Sequence, residues 1–130
     1  MSKRYELGLN ELDSLVKELP SSGIIALRGN LASGKTTLSK AIINNQNMVT
    51  SPTFSIMQEY DGVYHYDIYQ GGFEAIKQNG LYENLYEDGL HIIEWADDKL
   101  LEFASKNGLN VCIIDIEICD NKRVYKVSYA

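Results

Sequence analysis

A chain of 130 residues, 45% hydrophobic and 23% charged, has the length and the apolar content for one compact domain around a single core, so residues 1–130 read as one unit. Its net charge of -6 sets its own field against a nucleic-acid backbone, which disfavours direct RNA binding. No apolar run approaches bilayer length and the opening residues lack the apolar stretch of a signal peptide, so the cytoplasm is the expected location and no membrane contact is expected.

In chain order, strands and helices take turns. Leu12, Leu15, Val16 and Leu19 have helical spacing within Asn10 to Leu19, closed by Pro20. Ile24 to Leu27 is a short continuous apolar run, the pattern of a strand covered on both faces. From Lys35, the residues Leu38, Ala41 and Ile42 resume helical spacing, which the polar run Asn44 to Asn47 ends. Phe54 to Tyr60 and Val63 to Tyr69 flank Asp61-Gly62, a hairpin-closing pair. Phe73 to Gln78 reads as a short helix, Gly80 to Asp88 as helix or irregular chain, Leu90 to Trp95 as a strand and Ala96 to Ala104 as a helix. Val111 to Cys119 and Arg123 to Tyr129 form a further hairpin, and its Cys112 and Cys119 read as buried thiols. The alternation specifies an α/β class, a mixed sheet flanked by helices.

Between the first buried strand and the second helix stands Gly29-Asn30-Leu31-Ala32-Ser33-Gly34-Lys35-Thr36, followed by Thr37. This is the Walker A phosphate loop in the strand-loop-helix setting that gives the pattern meaning. Glycines at both ends let successive N–H groups turn inward around phosphate oxygens, and the helix start adds its positive dipole end. Lys35 is placed to reach the terminal phosphates and the Thr36 hydroxyl to bind magnesium.

Hydrolysis also requires an acid at a strand end. Glu94 ends an apolar strand, where a carboxylate is costly to bury without compensation, and it is the favoured metal-side acid. Asp67 shares a strand face with His65 and Tyr69 and is placed to polarise water or to bind metal through water. His65 reads as a hydrogen-bonding neighbour rather than a base, and His91 as structural. Asp115 and Glu117 alternate with isoleucines on a solvated face. The segment Thr50-Ser51-Pro52-Thr53 reads either as a loop whose hydroxyls sense the terminal phosphate or as an ordinary turn before a strand. Trp95 is either a neighbour of the base or a core residue.

The ordered set of the phosphate loop with Thr36-Thr37, Ser51-Pro52-Thr53-Phe54, Glu59-Tyr60, His65-Tyr66-Asp67-Ile68-Tyr69 and Ile93-Glu94-Trp95 resembles the bacterial TsaE (YjeE) family, from about Gly23 to Trp95. The resemblance implies a compact α/β nucleotide-binding domain, a small ATPase serving threonylcarbamoyladenosine modification of transfer RNA. It implies that Lys35 and the loop amides hold ATP, that Thr36 and Glu94 bind Mg2+, and that Asp67 serves hydrolysis. TsaB and TsaD are the implied partners, with transfer RNA met only indirectly. The chain departs from the family at Asn30, Ala32 and Ser33, and at Gln70, where the family's His-x-Asp-x-Tyr element continues with Arg. Only Arg4, Arg28 and Arg123 occur in the chain. That scarcity weighs against a small-molecule phosphate-loop kinase, which clamps its transition state with guanidinium groups. The further alternative is a non-catalytic, nucleotide-dependent docking switch.

Overall fold

The structure, a computed structural model, describes residues 2–30, 33–43, 56–60 and 62–129. Among these residues seven strands form one sheet in the order β1-β7-β6-β2-β5-β4-β3. Its centre is parallel: β2 (Gly23–Gly29) lies between β5 (Leu90–Glu94) and β6 (Val111–Cys119), and β4 (Val63–Asp67) runs alongside β5. Antiparallel pairs close both sides, β3 (Met57–Tyr60) on β4 and β7 (Lys122–Tyr129) between β6 and β1 (Ser2–Leu7).

The two faces of the sheet carry separate cores. Ile25, Leu27, Ile92 and Ile114 pack on α1 (Leu12–Val16) and α2 (Lys35–Ile43). On the opposite face, Ile24, Ala26, Tyr66 and Ile93 pack on α3 (Phe73–Gln78) and α4 (Asp98–Lys106). All five residues of β5 are buried, as a parallel strand covered on both faces requires. β2 feeds α2 onto one face while β5 feeds α4 onto the other, which leaves a crevice at the carboxyl ends of these neighbouring strands.

Several element ends differ from the sequence reading. The first helix is shorter than Asn10 to Leu19: Leu9–Glu11 is a 3-10 turn, and beyond Val16 the chain tightens, with the N–H groups of Glu18 and Leu19 bonding three residues back. The strand expected to reach Tyr69 stops at Asp67, whose Oδ1 accepts the Tyr69 N–H at 3.1 Å and turns the chain. α4 starts two residues after Ala96 because Asp97 caps it, accepting the Leu100 N–H at 3.0 Å. Gly80 to Asp88 contains a 3-10 helix, Tyr82–Tyr86. β1 was not expected: its charged residues are mostly exposed, only Tyr5 and Leu7 turn toward the core, and it is specified by its pairing with β7. Cys112 is buried as expected, but Cys119 is exposed near the hairpin turn, which corrects the reading of both thiols as core. Phe54, Ser55 and Asp61 of the expected hairpin lie outside the described residues. Among the described residues no helix is long and apolar enough to cross a membrane.

Candidate functional site

The strand β2 ends at Gly29 and α2 begins at Lys35, so the glycine-rich stretch stands between a parallel strand and a helix N-terminus. Backbone geometry makes the glycine at its entrance necessary. A Cβ on Gly29 would stand 2.6 Å from Ser33 Oγ and 2.7 Å from the Ile116 carbonyl oxygen, and the latter, being backbone of β6, cannot swing away. Gly34, the second glycine, has φ +110, a conformation that side chains disfavour.

Lys35 is buried and folded back along this loop. Its ammonium donates to the carbonyl oxygens of Gly29 and Asn30, both at 2.8 Å, and to Ser33 Oγ at 3.2 Å. The Trp95 ring covers it, with Nζ 3.8 Å from the centroid. Burial pushes the ammonium below the ordinary lysine range, while the Glu94 and Asp67 carboxylates push it back up.

Glu94, 2% exposed, closes β5, and the sequence expectation of a strand-end acid is met there. Among the described residues no lysine or arginine bonds it. Instead Thr36 Oγ1 donates to Oε1 at 2.8 Å, Ser39 Oγ lies 3.1 Å from Oε2, and His65 Nε2 hydrogen-bonds Oε2. Burial alone would drive this carboxyl upward, but the bonds from His65, Thr36 and Ser39 outweigh it and hold the group below the usual carboxylate range. His65 is therefore the hydrogen-bonding neighbour expected, on Glu94 rather than within a set around Asp67.

Asp67 pairs in register with Glu94 across β4 and β5, so both carboxylates leave the same sheet face at neighbouring strand ends. Asp67 is half-buried and Lys35 feels its field. Tyr69 is not part of that strand face. It lies past the strand end, 57% exposed, with its ring 4.6 Å from that of Trp95. Trp95 sits over the loop lysine at φ +67, its N–H and that of Ala96 both donating to the Leu27 carbonyl.

Asn30 is exposed, Ser33 buried, Gly34 and Thr36 half-buried and Thr37 exposed. Leu31, Ala32 and Thr53, read as nucleotide-binding in the sequence, lie outside the described residues, as does the whole of 50–53. Gln70 is exposed. His91 is structural as expected, buried between the Tyr66 hydroxyl at Nδ1 (2.9 Å) and the Glu87 carbonyl at Nε2 (2.8 Å). Asp115 and Glu117 face outward and pair with Arg28 and Lys126. A cavity of about 460 Å3 opens beside the loop on the α4 side, lined by Arg28, Asn30, Trp95, Asp98 and Asp115 among others.

Two contributors escaped the sequence reading. Ser39 has a local signal, since it lies three residues after Thr36 on the same helix face. Arg123, whose Nε donates to the Ser33 carbonyl at 3.0 Å, lies 90 residues away in sequence and had none.

The oxygen donors of Thr36 and Glu94 suit a hard cation. Among the described residues no three His, Cys, Asp or Glu side chains converge into a metal cage. Magnesium bound to a polyphosphate needs only one or two protein oxygens, so this donor set fits it.

Comparison with known proteins gives a consistent result. The sequence model of threonylcarbamoyl adenosine biosynthesis protein TsaE matches residues 8–125. The tRNA threonylcarbamoyladenosine biosynthesis protein TsaE of Aquifex aeolicus is 31% identical, the match covering 88% of this chain and 84% of that protein. Its namesake in Streptomyces coelicolor is 32% identical, covering 69% and 68%. The one in Rickettsia conorii is 33% identical over 64% of this chain but only 52% of its own length. In architecture, the crystal structure of Bacillus subtilis YdiB matches all of this chain and 86% of that one, with a TM-score of 0.69 at 22% identity, a likeness of fold.

Proposed function

The chain belongs to the TsaE family of threonylcarbamoyladenosine biosynthesis proteins, and from that premise we propose that it is a magnesium-dependent ATPase acting with TsaB and TsaD in the modification of transfer RNA. One observation carries the reading: the Thr36 hydroxyl on the first turn of α2 bonds the Glu94 carboxylate at the end of the neighbouring strand, beside a phosphate loop. That is the pairing expected of a P-loop hydroxyl and a strand-end acid.

In this reading the loop amides and the α2 N-terminus hold the ATP polyphosphate, and Lys35 gives up one of its carbonyl acceptors for a phosphate oxygen. Thr36 and Glu94 would hold the magnesium ion, which when bound draws charge off the phosphoryl oxygens. Asp67, beside Glu94 and half-buried, accepts a hydrogen bond from the attacking water and orients it. Trp95, against which Tyr69 packs, covers the lysine and keeps bulk water from it. With a net charge of -6 and few arginines, the chain supplies little cationic stabilisation itself, so turnover is slow alone and rises when partners close the site.

The test is phosphate release from Mg-ATP by the purified chain, alone and with TsaB and TsaD. Slow release that the two partners accelerate supports the proposal. Equal rates count against completion of the site by partners, and ATP binding without any release replaces the ATPase by a docking switch. Phosphorylation of an added metabolite would instead establish the kinase alternative.

A further inference from the structure

Of the three arginines, Arg4 and Arg28 are paired with carboxylates, Arg4 with Glu6 and Arg28 with Asp98 and Asp115. Arg123 forms no ion pair among the described residues. The residue is half-buried and its Nε donates to the Ser33 carbonyl at 3.0 Å, with Nη1 donating to the Lys122 carbonyl at 3.3 Å. A Cβ built on Gly34 would stand 3.9 Å from the same Nε, so the cation lies against the Ser33-Gly34 peptide of the phosphate loop.

The strand beneath Arg123 is well anchored. Arg123 pairs in register with Ile118 of β6 on one side and Leu7 of β1 on the other, and the connecting turn at Asp120 and Asn121 is tight. A side chain projected from such a strand holds its position better than one on a loop. The peptide it bonds carries the N–H of Gly34, one of the amides that a loop of this type turns toward phosphate oxygens. A guanidinium on the carbonyl end of a peptide polarises it and makes the N–H at the other end a stronger donor. It also brings a positive charge to the outer side of a loop in a strongly acidic chain.

We propose that Arg123 is a positioning residue for polyphosphate binding, acting from the β6-β7 hairpin through the Ser33-Gly34 peptide rather than by touching the nucleoside. The proposal rests on the reading of residues 29–36 as the phosphate site. It adds a cation from β7, two strands away from β2 in the sheet, to a site otherwise built from β2, α2, β4 and β5.

The experiment measures the Kd of Mg-ATP and of Mg-tripolyphosphate for the wild-type chain and for Arg123→Ala, Arg123→Gln and Arg123→Lys, together with the melting temperature of each unliganded protein. Arg123→Ala and Arg123→Gln are expected to weaken both ligands by about tenfold, the scale of one charge-assisted hydrogen bond, while Arg123→Lys restores most of the affinity. Because Gln can still donate to the Ser33 carbonyl, wild-type affinity in Arg123→Gln would reduce the side chain to a mechanical tie and overturn the proposal. A loss seen with ATP but not with tripolyphosphate would overturn it too, by moving the action to the nucleoside. Should Arg123→Ala fail to fold, the contrast between Gln and Lys still decides. A wild-type chain that binds neither ligand would instead defeat the phosphate-site reading itself.

Discussion

Thr36 and Glu94, 58 residues apart in sequence, are joined by a 2.8 Å hydrogen bond between a helix hydroxyl and a buried strand-end carboxylate. Glu94→Gln keeps the shape and an acceptor oxygen but removes the charge. Phosphate release should fall by more than about 100-fold, since electrostatic preorganisation of this kind is among the largest catalytic terms, while ATP still binds. Single-turnover hydrolysis beside equilibrium binding checks it, and full activity in the variant would remove Glu94 from the metal side of the site.

Ser39 is fully buried, with Oγ 3.0 Å from the Lys35 carbonyl and 3.1 Å from Glu94 Oε2. One hydroxyl proton serves one of these acceptors at a time, and Ser39→Ala leaves both without it. A loss of about 1–3 kcal/mol in unfolding free energy is expected from the loss of a hydrogen bond to a buried carboxylate. Activity should drop by roughly tenfold as the carboxylate loses a bond that orients it. Urea titration gives the first number and steady-state turnover the second.

Gly29→Ala tests the close approach at the loop entrance. With a backbone oxygen 2.7 Å from the new methyl, either the loop or β6 must shift. We expect about 1–3 kcal/mol of destabilisation from overpacking, and a loss of ATP affinity larger than that of Arg123→Ala. Calorimetric titration and thermal melting of the same preparation read both effects, and a variant that binds ATP as tightly as wild type would contradict the packing seen here.

His91 provides a pH test far from the nucleotide loop. Burial lowers its pKa beneath the ordinary 6.5, with the Glu87 carbonyl and carboxylate opposing. The unfolded chain therefore binds more protons than the folded one between the lowered value and 6.5, so stability rises with pH there. Its contribution is complete above 6.5 and is lost as pH falls toward and through the folded value. Neutral imidazole accepts from the Tyr66 hydroxyl and donates to the Glu87 carbonyl, an arrangement that protonation breaks. Unfolding free energies of the wild type and His91→Gln, compared from pH 7.5 down to 5, should diverge in slope below 6.5, and parallel curves would rule out this origin.

What the sequence determined by itself was local. The Walker A pattern was legible because strand, glycines, lysine and helix are contiguous, whereas the close approach that requires glycine at position 29 comes in part from the Ile116 carbonyl of β6. Glu94 was legible from the expense of an acid ending an apolar strand, and the α/β class from the alternation of periods. An edge strand with only two inward side chains, Tyr5 and Leu7 of β1, leaves too short a periodic trace to read, and a thiol beside a hairpin turn, Cys119, cannot be told from one in the core by apolar neighbours alone. Only the tertiary structure decided how the carboxylate of Glu94 is compensated, because His65 and Ser39 reach it across 29 and 55 residues, and how Arg123 meets the loop across 90. Such contacts depend on which strands become neighbours in the sheet. That order is set by the summed packing of both faces, which no single segment of the chain encodes.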